Sequence, residues 1–213
     1  MNLFVGIDPS INSTGICVLH CDEDGNTIAP DSFYIVRGTK LTKKEAKAEL
    51  ECLSNFQYVI YDKVETSTSE NNHEFERIKT DNFIKIVNEI YSIVYKEYEK
   101  HDIEENPVLN VWICQEGISY GSTLRTKSIF DLAGLNYMIR MKFAIHDNGV
   151  THIIATPGEI KKFGTGVGNA SKELIVTIFK ATHPEINLPK VDDIADAYNM
   201  ASYAKYLFEQ ENN

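Results

Sequence analysis

Three short segments of β-forming residues lie close together at the start of the chain, and they constrain the fold more than any other feature. The first, Asn2 to Ile7, ends at Asp8-Pro9, where proline removes a backbone donor and stops a strand. A tight connection leads to the second segment, Ile16 to His20, and turn residues separate it from the third, Asp31 to Val36. Short connections of this kind join antiparallel neighbours. We therefore predict a three-strand antiparallel meander.

Helices and strands alternate after this meander. A long amphipathic helix is expected from about His73 to Tyr98, because apolar residues recur there at intervals of three and four. The later elements are expected to be a strand over Val108 to Cys114 that ends at Glu116, a helix over Leu124 to Met141, a strand over Val150 to Ala155, a helical turn through Phe163, a helix from Ser171, and a final helix from Val191 to Phe208. This order predicts an α/β fold in which parallel strands extend the meander and α-helices flank a mixed β-sheet.

The length of 213 residues suits one domain, over 1–213, and the weakly patterned stretch at about 39–72 is expected to be an insertion at the sheet edge. A content of 43% hydrophobic and 24% charged residues is typical of a soluble globular protein. The four cysteines form no CxxC pair and predict buried thiols in a reducing compartment: Cys17, Cys21, Cys52 and Cys114. No apolar run approaches the ~20 residues of a membrane helix, and the N-terminus does not resemble a signal peptide, so we expect a cytoplasmic location.

The net charge of −10 disfavours nucleic-acid binding when taken alone, because phosphate contacts come from Lys and Arg. The charge is unevenly distributed, however. The stretch from Tyr120 to Lys172 holds seven basic and three acidic residues, a net of +4. A second basic run, Lys40 to Lys47, is equally well explained as a solvated helix face. The sequence therefore leaves room for a basic DNA-binding surface.

Four acidic residues stand where chemistry could use them. Asp8 and Glu116 follow buried strands, at the rim where α/β folds bind ligands, and Asp193 and Asp196 share one helix face at i, i+3 spacing. Such oxygens suit Mg²⁺ or Mn²⁺. Taken singly, Asp8 is more often a turn residue, and Asp193 more often a helix cap or dipole partner. Asp192 competes with Asp193, since Asp192 and Asp196 at i, i+4 also share a face.

Two other patterns carry no chemistry. The glycines of Gly164 to Gly168 lack the GK[ST] of a phosphate-binding P-loop and predict either a bend or a close backbone approach to a DNA phosphate. The six histidines show no metal-ligand spacing and are expected to be surface or core residues: His20, His73, His101, His146, His152 and His183.

Several motifs together resemble the RuvC-type Holliday-junction resolvases. Gly6-Ile7-Asp8-Pro9-Ser10 with Thr14-Gly15 is similar to the family's opening motif, and Asp193-Ile194-Ala195-Asp196-Ala197 to its closing DxxDA motif. Gln115-Glu116 resembles the central Glu motif, and Thr156 to Lys172 resembles the segment with two functional lysines, which is the most specific match. The resemblance covers most of the chain except about Thr39 to Asn72, and the acidic pI and longer lysine segment look closer to viral or phage members.

This resemblance implies an RNase H-like fold and a metal-dependent endodeoxyribonuclease that cleaves four-way DNA junctions in recombination and repair. Asp8, Glu116, Asp193 and Asp196 would then hold two divalent ions, Mg²⁺ or Mn²⁺, and be catalytic together with Lys161 and Lys172. The DNA-binding residues would be Tyr120, Arg125, Lys127 and Lys162. The chain departs from the bacterial pattern after Glu116, where Ser119 replaces an aromatic wedge and only Tyr120 could stack on a base.

A four-way junction must be cut twice, so one active site per chain predicts a homodimer. The helix over Leu124 to Met141 is apolar on more than one face, which would suit a dimer partner. Alternatives remain: a nuclease of the same fold for flaps, other branched DNA or RNA–DNA hybrids; an actin-like sugar kinase, which the short length disfavours; and a non-catalytic nucleic-acid-binding module. For a viral or phage protein, the expected location is the host cytoplasm.

Overall fold

The computed structural model describes residues 1–37, 56–60, 72–101, 107–117, 126–146, 149–186 and 191–212. The strands of these ranges are β1 (Asn2–Asp8), β2 (Ser13–Cys21), β3 (Thr27–Arg37), β4 (Phe56–Ile60), β5 (Asn110–Glu116) and β6 (Val150–Ala155). The helices are α1 (Asn72–His101), α2 (Thr126–His146), α3 (Pro157–Thr165), α4 (Lys172–Thr182) and α5 (Asp192–Asn212).

The described strands form one mixed sheet in the order β4-β3-β2-β1-β5-β6. The pairs β1–β2 and β2–β3 are antiparallel, which confirms the predicted meander. The pairs β1–β5, β5–β6 and β3–β4 are parallel. The predicted α/β class, a meander extended by parallel strands and flanked by helices, is therefore confirmed.

Most predicted elements are present, with shifted bounds. The third strand begins four residues earlier than expected, at Thr27, and pairs with β2 through register shifts near His20. The turn expected through Phe163 is a full helix, α3, because Thr156 and Glu159 form a reciprocal capping box and Pro157 occupies the first turn. From the 39–72 stretch, β4 and the first residue of α1 are described. The edge insertion and the single-domain organisation therefore stay predictions.

Helices cover both faces of the sheet, and each face has its own hydrophobic core. One core joins alternate sheet residues such as Phe4, Cys17 and Trp112 to the buried side of α5 and to α3 and α4. The other joins the intervening residues, such as Val5 and Ile113, to α1 and α2. The two-residue period of a strand therefore decides which helices each side chain meets.

Two glycines allow α5 to lie directly on the first two strands. A Cβ added at Gly6 would lie 1.8 Å from the carbonyl oxygen of Ala197 and 2.5 Å from the backbone nitrogen of Ala201. A Cβ at Gly15 would lie 2.1 Å from the carbonyl oxygen of Asp193. No side chain fits at either position, so the first turns of α5 are held against the end of β1.

The described cysteines, Cys17, Cys21 and Cys114, are buried free thiols, as predicted, and Cys52 lies outside the described residues. None of the described helices combines the length and the apolar character that crossing a bilayer requires.

Candidate metal centre

Asp8 and Glu116 lie side by side at the carboxyl ends of two parallel strands. The register of β1 and β5 pairs Ile7 with Gln115, so Asp8 and Glu116 occupy the next position on neighbouring strands. Each shares its sheet face with the residue two positions earlier, Gly6 or Cys114, and this face carries α5. Both carboxylates are partly buried. The strand ends therefore direct two acids towards the start of α5.

Asp193 and Asp196 come from the first turns of α5, as the sequence predicted. Asp193 accepts a short hydrogen bond from the hydroxyl of Ser13, which begins β2. Asp193 and Asp196 are each partly buried. We call the set formed by Asp8, Glu116, Asp193 and Asp196 the carboxylate edge.

The carboxylates of this edge act on one another electrostatically. Burial raises the pKa of Asp8 well above its usual value, and the charges of Asp196, Glu116 and Asp193 raise it further. Burial and Asp196 likewise raise the pKa of Glu116. Burial also raises the pKa of Asp196, against the opposing charges of Lys172 and Lys161. The four acids therefore form one electrostatically coupled site in which negative charges repel one another.

Two lysines face this edge from separate helices. Lys161 lies on α3, and Lys172 is the first residue of α4, after its N-cap Ser171. Both lower the pKa of Glu116 through their charge. Burial disfavours the charged form of Lys172, but the nearby aspartates outweigh it and raise its pKa. Both ammonium groups are therefore available to an anion at the edge.

The contacts distinguish the two competing aspartates at the start of α5. Asp192 Oδ2 lies 3.5 Å from the Lys172 Nζ. Asp193 instead bonds Ser13, and its charge acts on Asp8. This arrangement favours Asp193, with Asp196, as the inward pair, while Asp192 orients a lysine.

The chemistry of this donor set fits a hard divalent cation. All four side chains offer oxygen, which Mg²⁺ and Mn²⁺ prefer, and a cation would offset the repulsion that raises the carboxylate pKa values. In the described structure, no three of these four acids bring one ligand oxygen each within 4.8 Å of one another.

The predicted DNA-binding residues have different outcomes. Tyr120 and Arg125 lie outside the described residues, and Lys127 is described only as a backbone position in α2. Lys162 is exposed on α3. Of the other basic residues, Arg140 of α2 packs over the ring of Tyr137 at 5.0 Å. Among the described side chains, those whose positive charge acts on the edge are Lys161 of α3 and Lys172 of α4.

Sequence reasoning missed Ser13 as a residue of this site. Its hydroxyl orients Asp193 across a sequence separation of 180 residues. The only sequence signal was its position inside the opening motif, before Thr14-Gly15. Gly15 of the same motif has a structural role, because the absence of a side chain there leaves space for the backbone of Asp193.

A scan against protein-family models found no match. A search of curated protein sequences also found none.

Solved structures gave similar folds at low sequence identity. Thermus thermophilus RuvC in complex with a Holliday-junction substrate superposes with a TM-score of 0.52 at 12% identity, over 99% of this chain and 96% of that one. The yeast mitochondrial Holliday-junction resolvase Ydc2 superposes with a TM-score of 0.50 at 12% identity, over 98% of this chain and 79% of that one. Fowlpox virus resolvase in complex with Holliday-junction DNA gives 0.44 at 14% identity, over 96% and 98%.

At these identities the similarity concerns the fold, and the mixed sheet between two helical layers agrees with it. The chain has the RNase H-like fold in the form found in RuvC-type Holliday-junction resolvases.

Proposed function

We propose that this protein is a metal-dependent endonuclease that cleaves four-way DNA junctions. The observation that carries the proposal is the carboxylate edge, where acids from β1, β5 and α5 act on one another and two lysines face them. This edge belongs to a fold shared with two junction resolvases, and one of those was solved with its junction bound. The fold alone would not assign an activity, because one fold serves many functions.

Each group of the edge has a distinct role in this proposal. Asp8, Glu116, Asp193 and Asp196 would hold two divalent ions, Mg²⁺ or Mn²⁺. When bound, such ions activate water and stabilise both the attacking and the leaving oxygen at phosphorus. Ser13 keeps the Asp193 carboxylate in position by donating a hydrogen bond. No side chain acts as a nucleophile.

Lys161 and Lys172 would neutralise the charge that develops on the phosphate. Their position on the acidic edge suits this role, because they offset repulsion between the carboxylates and the DNA backbone. Asp192 holds the Lys172 ammonium from outside the edge. Hydrolysis in this arrangement would leave 5′-phosphates and 3′-hydroxyls.

A homodimer would match the approximate two-fold symmetry of a junction that must be cut twice. Helix α2 presents large apolar side chains on one face at spacings of seven, four and four residues, and these are exposed to between 56% and 71%: Phe130, Tyr137, Met141 and Ile145. An exposed apolar stripe of this kind favours contact with another protein surface. We propose that α2 pairs with its copy.

Cleavage of a labelled synthetic four-way junction tests the function, beside matched duplex, flap and RNA–DNA hybrid, with Mg²⁺ or Mn²⁺. Asp8→Asn is the inactive variant, and Asp24→Asn, in an exposed turn, is the matched control. We expect paired symmetric nicks at the junction from the wild type and the control, and none from Asp8→Asn.

Each other outcome assigns a different function. Preferred cutting of flaps or hybrids would keep the metal site and replace the substrate. Junction binding without cutting would favour a non-catalytic binding module. Equal cutting by Asp8→Asn would contradict the proposed site.

For the dimer, Ile145→Glu should give a monomer in sedimentation equilibrium. A monomeric wild type that still makes paired cuts would contradict the proposed pairing of α2 with its copy.

A further inference from the structure

A second group of ligand-type side chains lies near the opposite end of the sheet. His20 of β2 and Glu97 and His101 of α1 bring one ligand atom each within 4.8 Å of one another, and within the described ranges they are the one such group of three. In the sheet register His20 pairs with Leu3, five positions before Asp8 on β1. That separation is roughly 16 Å at ~3.3 Å per residue. This cluster is therefore distinct from the carboxylate edge.

The cluster is built into the protein interior. His20 is fully buried and Glu97 is 4% exposed. Glu97 Oε2 lies 2.8 Å from His20 Nε2 and 3.7 Å from His101 Nε2. Two ligands on one tetrahedral zinc ion lie about 3.4 Å apart, given zinc bond lengths near 2.0–2.1 Å. The Oε2–His101 distance is close to this spacing and the Oε2–His20 distance is about 0.6 Å shorter, so these side chains would separate slightly on binding such an ion.

The surrounding hydrogen bonds prepare these atoms as ligands. His20 Nδ1 lies 3.1 Å from the carbonyl oxygen of Pro30, which can only accept, so Nδ1 carries a proton and Nε2 faces Glu97. A backbone carbonyl on the far nitrogen is the arrangement that fixes a metal-binding histidine. Tyr34 donates a short hydrogen bond to the other oxygen of Glu97, Oε1, while Oε2 faces the histidines and also accepts a long hydrogen bond, 3.4 Å, from the Ser32 hydroxyl.

His101 supplies the third potential ligand atom, Nε2. Its Nε2 is buried and makes no hydrogen bond in the described structure. The rings of His20 and His101 also pack against each other, with centroids 4.4 Å apart, which holds the two imidazoles on the same side of Glu97.

One charged neighbour opposes a cation here. Lys100 Nζ lies 3.9 Å from Glu97 Oε1, but its side chain is 61% exposed and can turn towards solvent. Imidazole nitrogen and one carboxylate suit zinc, whereas magnesium and calcium favour oxygen alone.

We propose that His20 Nε2, Glu97 Oε2 and His101 Nε2 bind a zinc-class transition-metal ion that fixes the end of α1 to β2. The ion replaces the proton held between His20 and Glu97, which is released to solvent. Water would take the fourth position. The site is structural, and it does not depend on the nuclease function.

Zinc binding by the full chain in excess Mg²⁺ tests this proposal, by equilibrium dialysis and by the zinc-dependent rise in the thermal unfolding midpoint. His101→Gln is the main variant, because it removes a ligand and keeps the His20–Glu97 pair. His152→Gln is the matched control, since His152 also has a buried Nε2 without a hydrogen bond but its charged neighbour is Arg140. Near-UV circular dichroism checks that each variant folds.

We expect one Mg²⁺-resistant zinc ion per chain in the wild type and in His152→Gln. His101→Gln should bind zinc at least about tenfold more weakly and lose the midpoint rise. Asp8→Asn should keep the zinc ion. Absence of Mg²⁺-resistant zinc in the wild type, unchanged binding in His101→Gln, or loss of the ion in Asp8→Asn would each overturn the proposal. Cobalt gives a second readout, because a tetrahedral nitrogen–oxygen site absorbs visible light far more strongly than an octahedral oxygen site.

Discussion

The two ends of the sheet treat buried negative charge in opposite ways. At the carboxylate edge, burial and then the charges of the neighbouring acids raise the pKa of Asp8. At the other end, Glu97 accepts hydrogen bonds from His20 and Tyr34, and its pKa falls to about 2. At the first end the carboxylates repel one another and a cation would relieve that repulsion, whereas at the second end hydrogen bonds already stabilise the Glu97 charge when no ion is bound. Raised carboxylate pKa values are typical of catalytic sites, which agrees with the function proposed for the carboxylate edge.

The largest effect is expected for a substitution in the carboxylate edge. Asp8→Asn should lower junction cleavage about a thousandfold or more, because removing a metal ligand costs several kcal/mol of transition-state stabilisation. Its thermal midpoint without divalent ions should not fall, since the change removes repulsion. Single-turnover cleavage and thermal unfolding measure both quantities. A matching loss of stability would place Asp8 with the structural charges instead.

The next effect concerns the lysines that balance this edge. Lys172→Met should slow single-turnover cleavage at saturating protein by about a hundredfold, because a positive group near the phosphate is lost. Lys162→Met, an exposed neighbour on α3, should keep that rate. Equal slowing in both variants would indicate a general charge effect.

At the opposite end of the sheet, Glu97→Gln removes the buried negative charge. The free energy of unfolding should fall by about 1.5–3 kcal/mol, because hydrogen bonds that involve a charged group are replaced by neutral ones. Junction cleavage per folded molecule should not change. Urea unfolding measures the first quantity, with Glu99→Gln, an exposed residue of the same helix, as the control. An unchanged unfolding free energy would mean that Glu97 contributes little to the fold.

A smaller effect is expected for DNA affinity. Lys162→Met should weaken binding to every DNA form similarly and reduce the slope of log affinity against log salt by about one. A salt titration of junction and duplex binding measures this slope. An unchanged slope would show that Lys162 makes no phosphate contact.

The smallest effect is a contrast in pH dependence. Asp8, Glu116 and Asp196 have raised folded-state pKa values, so they bind protons more tightly when folded. Without divalent ions, their contribution to stability should increase as pH falls from 7 through these values towards ~4, the usual carboxylate range. Glu97 has the opposite sign, and its stabilisation should be lost between its usual value near 4.5 and about 2.

Difference curves isolate these two contributions. Without metal, the free energy of unfolding of the wild type minus that of Asp8→Asn should rise as the pH falls. Added Mg²⁺ should reduce this pH dependence. The free energy of unfolding of the wild type minus that of Glu97→Gln should fall at lower pH. A rise of this second difference on acidification would contradict the conclusion that hydrogen bonds within the chain stabilise the Glu97 charge.

Local patterns predicted the elements of this fold well where a single period dominates. The spacing of apolar residues predicts α1, and the β-rich segments before Asp8 and after Gly15 predict the meander. Bounds were less accurate, because strand ends depend on neighbours: β3 extends back to Thr27 only because β2 pairs with it there. The acids of the candidate site were identifiable because they follow strands or begin a helix. Their roles stay predictions.

The sequence by itself determined the order of elements and the set of acids at their ends, because both depend on residues near one another in the chain. Only the tertiary structure decided which of Asp192 and Asp193 faces Asp8, since that depends on how α5 lies on Gly6 and Gly15. It also brought His20 to Glu97, 77 residues apart, whereas only Glu97 and His101 are near one another in the chain. Contacts between distant segments depend on how the helices pack against the sheet, and no periodicity within one segment encodes that packing.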